Sequence, residues 1–582
     1  MEKQVVNGEL KSKIYFKKNN YYINKYYKNW IRNNEPKNKE IQLQRYNDFK
    51  YKPLISIIIP VYNPDYRFFN ELIHSLVNQT YSNIEICIAD ASKVEYDITP
   101  FLEDDRIIYK HLEKNGGISN NTNEAIKLAN GDYIAFVDHD DKLPIFAINE
   151  VVKCINDNLD VEFIYSDEDI IIGNKRCNPH FKPDFSIDTL RSYNYICHLS
   201  VVKKELLDRI GYFNEKFDGA QDYDMIFRIT ENTNKIVHIP KILYHWRSHK
   251  GSTSGKSSSK NYAYDAGKMA IEEHLKRKNI SAKVFKLVEL GRYRVRYSIM
   301  DNDKISIIIP NKDNYEYLKK CINSLFKSTY KNYEIIIVEN NSESEEIFKY
   351  YRELEKYKNV KVIKLEINEF NYSRINNFAL NYIAGKYVLF LNNDIEVITD
   401  DFLEEMLGIA QRDEVGIVGS KLLYPDNTVQ HAGVIIGMGG VAGHINKNIN
   451  DDDMGYFSRA SVINNFSAVT AACLMTKKKI LDEVKGFDEN LKVAFNDIDL
   501  CLKIRQLGYL CVYTPYAKLY HHESKSRGLE DTKEKRKRFA GEIEYFKQKW
   551  DDVLKKGDPY FNKNLDLNSA KFIIKNKGKR EI

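Results

Sequence analysis

The sequence has no C-x-x-C pair. Its eight cysteines stand scattered at 87, 154, 177, 197, 321, 473, 501 and 511, which excludes a zinc ribbon and a dithiol redox motif. So few thiols in 582 residues also exclude a disulfide scaffold, and they read as buried thiols of a reducing compartment. The opening residues, MEKQVVNGELKSK, lack the apolar core of a signal peptide. No run approaches about 18 continuous apolar residues. The expectation is a cytoplasmic protein without a transmembrane helix. A strong net charge is missing too: 88 basic and 82 acidic residues leave +6, too balanced for a nucleic-acid binder. What the chain does have is core-forming material. At 43% hydrophobic and 29% charged, it is neither collagen-like nor globally disordered, and its length leaves room for several domains.

The charge is uneven. Residues 1–50 hold twelve Lys or Arg against five Asp or Glu, and Tyr15–Trp30 interleaves aromatic residues with lysines. Two readings are open for this basic extension. One is a solvated helix packed on the first domain. The other is a peripheral contact of residues 11–50 with an anionic membrane surface, on the inner face of the cell membrane. Residues 555–582 of the lysine-rich tail are expected to fray.

The chain repeats itself. Ile55-Ser-Ile-Ile-Ile-Pro60 returns as Ile305-Ser-Ile-Ile-Ile-Pro310, and Phe136-Val-Asp-His-Asp140 as Phe390-Leu-Asn-Asn-Asp394. Gln221-Asp-Tyr-Asp224 returns as Asn496-Asp-Ile-Asp499, and Tyr244-His245 as Tyr520-His521. Four landmarks in one order indicate a duplicated domain. The offset grows between the second and third landmarks. This places an insertion in copy two around Tyr424–Asn450, where HAGVIIGMGGVAGH reads as a glycine-rich loop. Each copy opens with a β-branched run that Pro60 or Pro310 should end, then an amphipathic helix, then a second apolar run ending at Asp90 or Glu339. That is strand–helix–strand with parallel-sheet character. Ligands of such sheets sit beyond the carboxyl ends of the strands. Between the copies, GSTSGKSSSK (251–260) reads as a mobile loop.

Asp138-His-Asp140-Asp141 follows an apolar strand. Carboxylates at i and i+2 can share a hard divalent cation that also binds a diphosphate. Clustered aspartates at strand ends also cap helices and shape turns, so both readings stand. Asp222 and Asp497 precede helical patterns and could be N-caps or general bases. His245, His521 and His522 follow apolar stretches, as packing residues or as site residues.

Taken together, both copies resemble family 2 glycosyltransferases with the GT-A fold. The resemblance covers about 53–255 and 303–528. It rests on NGGISNNTN (115–123), the D-x-D, Q-D-Y-D and the late His. Longer strings add to it: FKPDFSIDTLRSYNYICHLSV (181–201), YHWRSHKGSTS (244–254), HAGVIIGMGGVAGH (431–444), FNDIDLCLKIRQLGY (495–509) and YTPYAKLYHHESKSRG (513–528). The second copy is especially similar to enzymes of bacterial O-antigen and rhamnan assembly. The implied fold class is α/β, with two tandem GT-A (nucleotide-diphospho-sugar transferase, Rossmann-like) domains. The implied division is a basic extension 1–52, domain one at 53–255, a linker at 256–302, domain two at 303–550 and a tail at 551–582.

The resemblance implies roles by position. Asp222 and Asp497 match the catalytic base. Asp90 and Glu339 match the acid that reads the nucleotide base, uracil or thymine. Asp138, with Asn392 in the second copy, and the shared asparagines Asn123 and Asn377 fall at nucleotide-sugar positions. Asp138, Asp140 and His245, and in copy two Asp394 with His521 or His522, match a site for Mn²⁺ or Mg²⁺. Gly116-Gly117 suits a close backbone approach to the donor. Copy two has Asn392-Asn393-Asp394 in place of D-x-D, so one carboxylate is gone and its metal dependence is open.

The implied reaction is an inverting transfer from UDP- or dTDP-sugars onto a growing bacterial surface glycan, with two fused active sites. The acceptor could be lipid-linked, or a protein O-glycan on a flagellin or adhesin. Domain two could instead be a non-catalytic acceptor-binding module. A nucleotidyltransferase is a further alternative, against which Q-D-Y-D and the late His argue.

Overall fold

The computed structural model describes residues 26–94, 101, 103–249, 260–523 and 532–575. Residues 251–259 of the GSTSGKSSSK loop, residues 1–25 and the end of the YTPYAKLYHHESKSRG string lie outside the described residues. Two large sheets are built on one plan. The first runs, edge to edge, Ile107–His111, Ile84–Asp90, Ile55–Val61, Tyr133–Phe136, Ser200–Lys203, Phe163–Ile172 and Lys175–His180, with Ile236–Ser248 also paired to Phe163–Ile172. The second runs Val360–Lys364, Tyr333–Glu339, Ile305–Asn311, Tyr387–Leu391, Cys473–Lys477, Val415–Leu423, Leu510–His521 and Ile395–Val397. The duplication read from four motifs is therefore a duplication of sheet order.

The central strands Ile55–Val61 and Ile84–Asp90 are buried at every position, as parallel strands covered on both faces must be. The helix between them, Tyr66–Val77, is capped by the Asp65 side chain, which accepts from Arg67 N at 3.0 Å. It buries Phe68, Phe69, Leu72, Ile73 and Leu76, one stripe at helical spacing. The parallel register sets Val61 beside Asp90 and Asn311 beside Glu339, so both acids stand at carboxyl ends.

Each opening strand runs one residue past its proline, to Val61 and Asn311. The chain's own bonding explains this. Ile58 O accepts from Val137 N, while Val61 O accepts from Ala91 N on the opposite side. Pro60 therefore faces the side of Tyr133–Phe136, whose pairing stops at Ile58–Phe136. No ladder bond needs the missing N–H there.

The glycine-rich insertion differs from the expected loop. Val434–Ile436 pairs antiparallel with Ala442–His444, and Val434, Ile435, Ile436 and Val441 are buried. Gly433 has φ +104°, and a Cβ there would stand 2.6 Å from the Phe466 ring. Glycine lets this turn sit against an aromatic ring.

Both flanking segments dock. Residues 26–34 are helical, with Tyr27 and Trp30 buried and Trp30 edge-on to Phe181 at 5.0 Å. The part of the tail up to residue 575 is ordered against the domains rather than frayed: Asp558, Tyr560, Phe561, Asn562 and Leu565 are buried. Ile436 N donates to Asp558 at 2.7 Å, and Arg459 donates to Tyr560 O at 2.7 Å. The apolar residues and buried polar partners of this stretch outweigh its lysines, which point outward. Among the described residues no helix is long and apolar enough to cross a membrane.

The linker forms a helix, Lys260–Arg277, and a hairpin, Ala282–Lys286 with Tyr293–Tyr297. One apolar cluster passes from Leu190 and Tyr193 through Tyr293, Val295 and Tyr297 to Met406 and Ala410. Polar contacts are buried inside this junction. Asn465 Nδ2 donates to Asp188 Oδ2 at 2.8 Å, and Ser192 Oγ donates to Ile463 O at 2.9 Å.

Candidate active sites

In the first domain Asp90 is fully buried and accepts from Ser92 N at 2.9 Å and from the Tyr109 hydroxyl at 3.0 Å. Glu339 repeats the arrangement: Ser342 N, Ser342 Oγ and the Tyr351 hydroxyl donate to it at 2.6, 2.5 and 2.8 Å. Both carboxylates are fixed at the ends of second strands.

The Asp138–Asp141 turn is held by the strand Ile236–Ser248 and the residue after it. The Tyr244 hydroxyl donates to Asp141 at 2.6 Å, Arg247 N donates to Asp141 at 2.7 Å, and Arg247 Nε donates to Asp140 O at 2.8 Å. Asp141 is therefore the anchor of the turn. Burial, reinforced by Asp138 and Asp140, pushes its carboxyl well above the usual range.

Asp138 and Asp140 face outward onto imidazoles. His198 Nε2 lies 3.5 Å from Asp138, and His249 Nε2 lies 2.9 Å from Asp140. Neither histidine is apparent from the repeat. His245 stands elsewhere: its Nδ1 is 2.5 Å from Asp169, its partner in strand register. The neighbouring strand claims His245, while His249, just past the strand's end at Ser248, reaches Asp140.

His198 connects the turn to the expected base. Its ring stacks on Tyr244 at 4.7 Å and lies 5.7 Å from Trp246. Burial lowers this imidazole most, but Asp138, Asp222 and Asp141 together outweigh it, and the value is pushed up to about 9. Burial, opposed by His198 and aided by Asp138, raises the Asp222 carboxyl above its ordinary value. Asn194 Nδ2 donates to Asp222 at 2.8 Å. Asp138, His198 and Asp222 thus form one electrostatic unit.

The shared asparagines have a different employment from the donor contact expected of them. Asn123 Nδ2 donates to Phe213 O and Phe213 N donates to Asn123 Oδ1, each at 2.9 Å. Asn377 does the same to Phe487, at 3.0 and 2.8 Å. Both amides clamp a backbone segment, at Phe213 and at Phe487. Gly117 has φ +91°, and the space over it holds the Asp218 carboxylate, which would lie 2.5 Å from a Cβ.

In the second domain Asp394 is buried. Its Oδ1 has no hydrogen-bond donor and stands 3.2 Å from His521 Nε2, with Asn392 Nδ2 3.4 Å from the same nitrogen. His522 turns to Glu396 at 3.2 Å. Asp497 accepts from Ala471 N at 3.1 Å and Ile498 N at 2.9 Å. No residue here matches His198: the strand register sets Ala472 at its place, its O accepting from Asn392 N at 3.0 Å. The insertion supplies imidazoles instead. His431 Nδ1 and His444 Nδ1 are 2.9 Å apart. Burial holds both below the usual histidine value, against the pull of Asp497 on His444.

The donor sets fit a divalent cation of the Mn²⁺ or Mg²⁺ kind. Domain one offers Asp138 and Asp140, and domain two offers the buried Asp394 carboxylate beside His521. Among the described residues no three His, Cys, Asp or Glu side chains converge as a complete cage. One or two protein ligands are what a cation held jointly with phosphates requires.

Two α/β domains of one topology, each with acids at the carboxyl ends of its strands, define a tandem sugar-nucleotide-type fold. The family model described as Glycosyl transferase family 2 matches residues 56–211 and 306–483; the chain belongs to this family, with the domain present twice. It is 44% identical over 537 residues to the uncharacterized protein y4gI of Sinorhizobium fredii, covering 90% of this chain and 58% of that one. It is 34% identical over 558 residues to the O-antigen biosynthesis protein RfbC of Myxococcus xanthus, covering 94% of this chain and 43% of that one. The chain thus spans about half the length of these curated relatives. Among solved structures, residues 1–349 of S. aureus TarS match with a TM-score of 0.32 and 20% identity, over 38% of this chain and 65% of that one.

Proposed function

We propose that the chain is a bifunctional inverting glycosyltransferase that moves sugars from UDP- or dTDP-linked donors onto a growing bacterial surface glycan. The observation that carries this reading is the contact of Asp138 with His198 and of Asp140 with His249, with Asp222 tied through Asn194 to the backbone of Cys197, the residue before His198. The RfbC relative, named for O-antigen biosynthesis, supports a surface glycan as product. In the second domain Asp497, Asp394 and His521 supply the corresponding groups.

In this reading the acceptor hydroxyl attacks the anomeric carbon from the face opposite the nucleotide. Asp222 takes the hydroxyl proton as the new C–O bond forms, help worth about 10²–10⁴-fold. The bond from the anomeric carbon to the diphosphate breaks, and its electron pair leaves on the diphosphate oxygen. Asp138 and Asp140 would hold a divalent cation jointly with the diphosphate, and when bound it supplies Lewis-acid stabilisation of that oxygen. Asp90 would accept from the pyrimidine base. Asn123 and Asn377 hold the backbone at Phe213 and at Phe487.

The test is nucleoside-diphosphate release from UDP-, dTDP- and GDP-sugars with an acceptor extract, comparing wild type with Asp222→Asn and Asp497→Asn. Loss of a different donor's turnover in each variant supports two transferases. Loss only in Asp222→Asn makes domain two an acceptor-binding module. Full activity in both variants sinks the base assignment, and pyrophosphate release in place of nucleoside diphosphate sinks glycosyl transfer.

A further inference from the structure

We propose that the first active site is held in working geometry by three consecutive carboxylates, Asp167, Glu168 and Asp169, each tying the site to a different, sequence-distant part of the chain. The inference rests on the reading that this site binds a nucleoside diphosphate with a divalent cation.

The three residues lie inside the strand Phe163–Ile172, with Asp167 and Asp169 fully buried. Adjacent acids in a strand interior are costly unless each is paired and hydrogen-bonded. Each is. Asp167 accepts from Lys182 N at 2.8 Å and from Asn562 Nδ2 at 2.9 Å, and His238 Nε2 lies 2.8 Å from it. Asn562 belongs to the segment beyond the second domain. Glu168 accepts from Lys182 Nζ at 2.9 Å and lies 3.5 Å from His180. The His180 ring stacks on Phe457 of the second domain at 3.7 Å. Asp169 accepts from the Tyr27 hydroxyl at 2.5 Å and from Arg176 Nε at 2.6 Å. Arg176 continues to Glu35 at 2.6 and 3.0 Å, so residues 26–35 close on this carboxylate.

Two lines lead from the triplet to the cleft. Lys182 Nζ also donates to the carbonyls of Ile196 and His198 at 2.6 and 2.7 Å. The backbone of His198 is thus hung from Glu168. Asp169 holds His245, and His245 lies in the strand whose Tyr244 and Arg247 grip the Asp140–Asp141 turn. The matching stretch of the second domain, residues 421–424, is Lys-Leu-Leu-Tyr, with no carboxylate. The sheet order is the same in both domains, so the fold does not require the triplet. Its presence correlates with the site that uses His198. These are positioning residues: they act on the cation and diphosphate through His198 and the 138–141 turn. Outer partners of metal ligands commonly set affinity by about 10–100-fold.

The experiment uses the full chain carrying Asp394→Asn, so that the second site's carboxylate does not contribute. Tyr27→Phe removes one hydroxyl and keeps the ring, and Asn562→Ala removes the amide on Asp167. Tyr46→Phe, exposed on the same extension, is the control. Mn²⁺ affinity is read from the free-ion electron paramagnetic resonance signal in the presence of UDP or dTDP, and metal-free binding of the same nucleotides by calorimetry. The expected result is a loss of Mn²⁺ affinity for Tyr27→Phe and Asn562→Ala, up to the roughly 10-fold at the low end for direct partners of metal ligands, with metal-free nucleotide binding and Tyr46→Phe unchanged. Wild-type Mn²⁺ affinity in either variant overturns the proposal, as does an equal loss of metal-free binding, which marks general damage. If Asn562→Ala does not fold, Tyr27→Phe decides. Failure of the parent protein to bind either nucleotide, with or without Mn²⁺, counts against the donor reading instead.

Discussion

Asp188 of the first domain accepts both terminal nitrogens of Arg412 from the second, at 2.5 and 3.2 Å, and both side chains are buried. The guanidinium also faces the Tyr297 ring at 4.8 Å. Removing Asp188 leaves the buried guanidinium with Glu414 alone, at 3.0 Å and on the half-exposed side, a loss of up to about 3–5 kcal/mol. Asp188→Asn should therefore lower the thermal midpoint strongly. The double variant Asp188→Asn with Arg412→Met should recover part of the loss. An unchanged midpoint in the single variant would show that the pair carries no stability.

The same pair sets a pH dependence. Burial raises the Asp188 carboxyl, but Arg412 outweighs burial and holds it below its ordinary value. A carboxyl depressed in the folded state contributes stability that is complete above its unfolded value, about 3.9. That contribution is lost as pH falls through the lower, folded value. Midpoints measured from pH 7 down to pH 3 should fall more steeply for wild type than for Asp188→Asn.

His198→Gln should lower turnover at the first site by about 10–100-fold, the usual cost of disturbing a group that braces a metal or reacting carboxylate. Turnover at the second site, where Ala472 takes this place, should not move. Separate donor assays on the one protein check both halves of the expectation.

The two sites should differ in their demand for metal. The first has Asp138 and Asp140, the second only Asp394 with His521. Titrating Mn²⁺ into metal-stripped protein should give half-maximal turnover at a lower concentration for the first site. Equal values would show that the lost carboxylate does not set affinity.

Gly433→Ala should damage the insertion. The position has φ +104°, and a Cβ would meet the Phe466 ring at 2.6 Å. Overpacking of this kind costs about 1–3 kcal/mol, to which backbone strain adds. A lower midpoint with selective loss of second-site turnover is expected, since the same insertion carries His431 and His444.

The parts of these sites that local pattern could reveal were those set by strand ends. Asp90, Glu339 and Asp138 lie where an apolar run stops, and parallel pairing brings such ends together. His198 and His249 were hidden because their partners are fixed by strand register. His245 is opposite Asp169 and is claimed by it, while His249 lies past the last ladder pair. Nothing in the spacing of YHWRSH separates these two histidines. Composition misled in the tail: lysines suggested fraying, but Asp558, Tyr560, Phe561 and Asn562 have specific buried partners. The glycines of the insertion suggested a loop, yet the apolar residues between them form a buried hairpin.

The polypeptide is not divisible at its apparent midpoint. A cut in the linker would part Asp188 from Arg412 and place Asp167 and Asn562 on different fragments. It would also uncover the aromatic faces of Tyr293 and Tyr297 to water. Each half would retain every motif of its own cleft and still lack neighbours that complete it. The two repeats are joined by buried contacts as well as by the linker, so a change on one face of the junction reaches both.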